Sequence, residues 1–145
     1  MIELLIAIAI VGVLAAIAVP SYYNYIKKAD FSEIVMVADS YRNYIGECIS
    51  RLNTPIGCNG GRYNIPANIA SVAGAAATSP IKSITVADGV ITVTPNQLPG
   101  MDADTSKYTY ILTPTLDKTS QVITWEVSGN ACLNSYVECK VNQYK

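Results

Sequence analysis

With 145 residues, half of them hydrophobic, the chain is long enough for one domain with a real core. A formal net charge of −1 gives no clustered positive field for nucleic acid, and without histidine a zinc site or a Ser-His or Cys-His catalytic pair is hard to build. The four cysteines, Cys48, Cys58, Cys132 and Cys139, lack metal-ligand spacing and read instead as two disulfides formed in an oxidising compartment. Three pairings exist in principle. The local ones, Cys48–Cys58 and Cys132–Cys139, are expected because short loops close at the lowest entropic cost.

The first element is a helix. Its opening, MIELLIAIAIVGVLAAIAVPSYYNYIKK, is apolar from Leu4 to Val19 but carries a carboxylate, Glu3, at its tip. A charge in hydrocarbon is costly by several kcal/mol and therefore implies a partner. The next ionisable side chains, Lys27 and Lys28, lie roughly 36 Å away at 1.5 Å per residue, so no side chain of the same helix reaches back. A secretory signal would have a basic n-region and a small-residue cleavage site, and neither is present. A simple membrane span wants about 20 apolar residues, and this stretch is slightly short, although Ser21 to Ile26 with Tyr22, Tyr23 and Tyr25 suits the headgroup region. The third reading is a helix buried in lipid at one stage and in protein at another.

The helical pattern continues past the apolar run. Ile26, Asp30, Ile34, Val37, Tyr41, Ile45, Cys48 and Leu52 advance in steps of three and four, with Asp30 off-pattern. The opposite face carries Lys27, Glu33, Asp39, Arg42, Glu47 and Arg51. One helix is therefore expected from the start to about residue 52, apolar all round and then amphipathic, interrupted at Pro20 and ended by Asn53-Thr54-Pro55. It would span ~75 Å, longer than a domain of this size is wide, so residues 1–26 must protrude from a head formed by 27–145.

From residue 53 to residue 80 the text is rich in Gly, Asn, Pro and Ala and predicts a covering loop, with a short helical turn near Asn68 to Ala77. The period then changes to two. Ile84 to Val86, Asp88-Gly89 and Val90 to Thr94 predict a hairpin. Lys107 to Thr113 and Val122 to Val127 predict a second, with Ile123, Trp125 and Val127 facing inward. The sheet spans 82–128, and 129–145 is a polar tail crossed by the second cysteine pair. The expected class is α+β, a long N-terminal helix packed by its amphipathic half on a four-stranded antiparallel sheet.

The run Ile2-Glu3-Leu4-Leu5-Ile6, followed by Gly12-Val13-Leu14-Ala15-Ala16-Ile17-Ala18-Val19-Pro20 and Tyr22, resembles the N-terminus of type IV pilins, particularly the type IVa class. The close resemblance covers roughly the first 28 residues; beyond them it is architectural, with Cys132 and Cys139 supplying the C-terminal disulfide loop. Pilins mature by loss of a short basic leader and usually start Phe-Thr before Leu-Ile-Glu. This sequence starts Met1-Ile2-Glu3, so the expectation is a mature or near-mature subunit without leader or those two residues, or a start assigned inside the gene.

The resemblance implies a non-enzymatic structural subunit without metal or cofactor. It would wait in the bacterial inner membrane, meet prepilin peptidase and the pilus assembly machinery, and polymerise with its own kind into an extracellular filament. Such filaments serve adhesion, twitching motility or DNA uptake. In a bundle of apolar half-helices the cation at the depth of Glu3 is the α-amino group of another subunit, and the resemblance implies its N-methylation. Pairing would fix axial register, because a slipped subunit buries two unpaired charges. The alternative is that Glu3 snorkels to the membrane surface.

Gly12 and Pro20 bracket a weak stretch of helix where packing subunits can kink or unwind it, against the plainer reading of a static proline kink. Tyr22, Tyr23, Tyr25, Tyr41 and Tyr44 read as packing or interfacial residues rather than an electron path. Asp102-Ala-Asp104-Thr-Ser106 begins like a calcium loop but lacks its later glycine and glutamate, which favours a solvated turn. Lys140 and Lys145 give DNA only a weak, salt-sensitive attraction. A helix-anchored enzyme or binding domain would need a site, and the sequence shows none. Within the filament class the alternatives are a minor pilin and a pseudopilin of type II secretion.

Overall fold

A computed structural model describes residues 1–70, 79–98, 101, 103–133, 136, 137 and 139, with the backbone alone at Pro20, Ser21, Tyr23, Asn24, Lys27 and Asp30. Helix α1 runs unbroken over Ile2–Leu52. The expected interruption at Pro20 is therefore corrected. Proline removes one N–H, the donor to the Ala16 carbonyl, and its fixed φ is already close to helical, so the flanking turns carry the helix through. Asn53 ends it in the left-handed conformation, φ 53°, which asparagine tolerates better than most residues.

The inner face of α1 is Phe31, Ile34, Ala38, Tyr41, Ile45, Cys48 and Ile49, all buried. Ile34, Tyr41, Ile45 and Cys48 lie where the periodicity placed them. Val37 and Leu52 are only half-buried at the margin, and Phe31, Ala38 and Ile49 take the central positions. That stripe faces one side of a four-stranded antiparallel sheet in the order β1 (Ile81–Ala87), β2 (Val90–Pro95), β3 (Tyr110–Asp117), β4 (Val122–Ser128). The register aligns Val86, Ile91, Leu112 and Val127 across the four strands, with Ile84, Val93 and Tyr110 in the next row, so alternate side chains point to the helix. Ile123, Trp125 and Val127 face inward as expected.

Asp88 and Gly89 form the β1–β2 turn with φ 48° and 78°, the left-handed pair that a two-residue hairpin requires. Glycine is needed at position 89 for room as well: a Cβ would lie 2.9 Å from Pro114 Cγ and 3.1 Å from Pro55 Cβ. The second hairpin differs from expectation at its first strand. Lys107 and Tyr108 belong to a single 3-10 turn, Thr105–Tyr108, whose start is capped by Asp104 accepting from the Ser106 N–H at 3.2 Å. β3 starts later and runs on through Pro114 to Asp117. Proline is tolerated there because it lies against the Gly89 turn, beyond the last β2–β3 pair, where no ladder donor is required.

At the other end of β3, Asp117 organises the turn to β4. Its carboxylate accepts from Ser120 Oγ at 2.8 Å and from the Thr119 N–H at 2.9 Å. The Ser120 hydroxyl first, and then the Thr119 amide, hold this carboxyl below its ordinary value of 3.8. A depressed folded pKa means that the turn's contribution is present above the unfolded value and is lost as pH falls through the folded one.

The loop after α1 covers the outer edge of β1. Ile69 and Ile84 exchange backbone hydrogen bonds at 2.9 and 3.0 Å, the Gly60 N–H donates to the Val86 carbonyl, and the Val86 N–H donates to Asn68 Oδ1. Ile69 is thus a β-bridge rather than part of a helical turn; the remainder of that expected turn, 71–77, lies outside the described residues. Cys48 is joined to Cys58, tying α1 to this loop, and Cys132 to Cys139, closing the C-terminal region.

Thr105 is buried, and among the described residues its hydroxyl has no hydrogen-bond partner. A buried hydroxyl without a partner costs about 1–3 kcal/mol. Thr105→Val keeps the shape and removes the polar atom, so it is expected to raise stability by roughly 1 kcal/mol. Denaturant melts should show a higher midpoint with an unchanged slope; a lower midpoint would mean that the hydroxyl is satisfied.

Candidate functional site

The residues singled out by sequence do not converge on one cleft. Glu3 sits in the first turn of α1, where a carboxylate suits the positive end of the helix. Its side chain is 96% exposed, and its Oε2 lies 3.2 Å from the chain's own α-amino group. The α-amino group expected from another subunit is here matched by the chain's own, two residues away. An exposed pair of this kind contributes little to stability.

From Ile2 to Val19 every residue is exposed. This stretch is long and apolar enough to cross a membrane, and none of it is buried against the head. Ile6, Ala9, Ile10, Val13 and Leu14 line one shallow apolar groove, and Ala18, Val19, Tyr22 and Ile26 another. At Gly12 a Cβ would meet nothing within 4 Å, so the chain's own fold places no demand for glycine there. Gly12 and Pro20 both lie within the continuous helix, far from either disulfide in sequence.

Among the described residues no three His, Cys, Asp or Glu side chains cluster as metal ligands. Asp104 spends its carboxylate on Ser106, while Asp102, Lys140 and Lys145 lie outside the described residues.

Sequence reasoning missed how the C-terminal disulfide region is anchored. Tyr136, between Cys132 and Cys139, lies tilted against Phe31 at a centroid distance of 5.8 Å and edge-on to Tyr108 at 5.4 Å, and Phe31 meets Tyr110 edge-on at 6.2 Å. Gly129, φ 105°, lets the chain cross so close to the Thr109 carbonyl that no Cβ fits. The spacing of Tyr136 between two cysteines was the available signal.

The helix is apolar from Leu4 to Val19, where the head leaves it uncovered, and its second half is the spine of an α+β head. The chain is similar to type IV pilins. It is 40% identical over 92 residues to a type IV major pilin protein of Neisseria gonorrhoeae, covering 63% of this chain and 40% of that one. It is 28% identical over 131 residues to prepilin peptidase-dependent protein D of Escherichia coli K12, covering 90% of this chain and 80% of that one. The aligned stretch thus spans about half or less of the neisserial relatives. The solution NMR structure of the major type IV pilin PpdD from enterohemorrhagic E. coli shares the fold, with a TM-score of 0.54 at 21% identity over 83% of this chain and 74% of that one. No protein-family model matches the chain.

Proposed function

We propose that this protein is a structural, non-catalytic subunit of a type IV pilus, polymerising through α1 into an extracellular filament. The observation that carries the reading is the uncovered apolar half of α1, continuous with the spine of a folded head. Surface of that kind cannot stay in water; it belongs in lipid or against copies of itself, and head-to-tail contacts of identical copies generate open helical assemblies. Residues 1–26 form the membrane anchor and later the filament core, and 27–145 form the head.

Before assembly the subunit sits in the inner membrane, where prepilin peptidase and the assembly machinery act on it. In the filament Glu3 pairs with the α-amino group of another copy, and Gly12 and Pro20 supply the weak stretch of helix. Adhesion, twitching motility and DNA uptake are the roles such a filament serves, set by surface residues and the machine that drives it.

The test is expression in a bacterium that has a pilus machinery but lacks its own pilin, followed by a density map of the filaments sheared from its surface. Long filaments with α1 at the core and a cation beside Glu3 are expected. Subunits confined to a short periplasmic structure would point instead to a pseudopilin of type II secretion.

A further inference from the structure

We infer that the groove between α1 and β4, floored by Gly46, seats a second copy of this chain; the inference rests on the filament reading above. Asp39, Arg42, Asn43 and Gly46 follow one another at helical spacings of three, one and three, and with Trp125 of β4 they line an open groove of about 480 Å³. Glycine inside a helix is unfavourable relative to alanine or leucine. At Gly60, Gly89 and Gly129 the chain's own atoms forbid or crowd a Cβ. At Gly46 they do not: nothing lies within 4 Å of where it would be, and the residue is in the interior of α1. A glycine that its own fold does not need points to a body from outside that comes close to the helix backbone.

A second observation is the sheet edge beside it. The outer edge of β1 is occupied by Ile69, Asn68 and Gly60, whereas among the described residues no strand pairs with the outer edge of β4. An open edge is a template for another chain. The groove's ionic groups are already matched, with Arg42 2.8 Å from Asp39 and its guanidinium 5.1 Å above the Trp125 ring, so no excess charge selects a small ionic ligand.

Continuity with the apolar half of α1 names the occupant. Large exposed apolar side chains recur beyond Val19, at Tyr22, Tyr25, Met36 (63% exposed) and Tyr44 (37% exposed), with Lys28, Ser32, Glu33 and Ser40 exposed between them; Tyr44 adjoins Asn43 at the groove. Copies that cover the first half of the helix are therefore carried along it to Gly46.

The full-length chain is expressed with a pilus machinery in a pilin-lacking host, as wild type, as Gly46→Leu, and with a photo-crosslinking residue at Asn43. Gly46→Leu should keep its membrane level and raise the thermal midpoint of the detergent-solubilised chain, while sheared filament falls by about tenfold or more. Light should give covalent dimers of this chain at Asn43. Normal filament yield from Gly46→Leu, a lowered midpoint, adducts with another protein, or no adduct would each overturn the inference while wild-type filaments uphold the filament reading. If wild type makes no filaments, that reading fails, and Asn43 adducts in the membrane still decide: chain–chain dimers support the groove, any other result overturns it.

Discussion

Deleting residues 1–26 yields a soluble monomer with an intact sheet and no capacity to polymerise. Among the described residues the deletion removes no core residue, since the first fully buried side chain of α1 is Phe31. It does remove the exposed apolar run from Ile2 to Val19. About ten large side chains at ~2 kcal/mol each amount to a driving force on the order of 20 kcal/mol for burial in lipid or protein. Among the described residues of the head, the exposed large apolar side chains are scattered: Met36, Tyr44, Ile56, Tyr63, Ile69, Val122 and Leu133. Size-exclusion chromatography and circular dichroism should report a monomer with its β content retained, and filaments from the truncated head would sink the assembly model.

Glu3→Gln abolishes most assembly and leaves folding untouched. In the isolated subunit Glu3 is exposed beside its own amine, and no part of the head touches it, so the thermal midpoint should not move. In a bundle of apolar helices both charges become buried. Replacing the carboxylate then strands an ammonium group in low dielectric, a loss on the order of 3–5 kcal/mol, by analogy with other broken buried pairs. That corresponds to a drop in incorporation of about a hundredfold or more. Unassembled subunit should accumulate in the inner membrane. The measurement is the mass of filament sheared from cells expressing the variant alone and together with wild type; normal amounts of pure variant filament would show that Glu3 reaches water in the assembly.

The parts of this molecule that were legible in its sequence are those written in local periodicity or turn chemistry. The long helix to Leu52, the Asp88-Gly89 hairpin and the inward alternation of Ile123, Trp125 and Val127 each follow from residues within a few positions of one another. Most of the errors share a cause, which is that distant contacts decided them; the Asp104 cap on the 3-10 turn is local. Phe31 and Ala38 displaced Val37 from the centre of the helix face because the sheet lies on that side. Lys107 and Tyr108 wound into a 3-10 turn because Asp104 supplied a cap, and Pro114 passed as a strand residue because the Gly89 turn lies opposite. Ile69 became a bridge because β1 had an edge to cover. Of the candidate site, the apolar run and Glu3 could be read directly. The reach of the backbone amine to Glu3 could not be read by counting side chains alone, and the spare room at Gly46 needed coordinates.

The bond between Cys48 and Cys58 has a mechanical meaning. In the proposed filament a pull would reach each subunit along the axis of α1, and a helix held to a sheet only by side-chain packing can slide. Here the last turns of α1 are covalently clamped to the loop at Cys58. That loop grips the β1–β2 turn: the Gly89 N–H donates to the Cys58 carbonyl at 2.8 Å and the Gly57 N–H to Asp88 Oδ1 at 2.9 Å. Tension along the rod would pass covalently from α1 into this loop, and from the loop into the β1–β2 turn through those two hydrogen bonds.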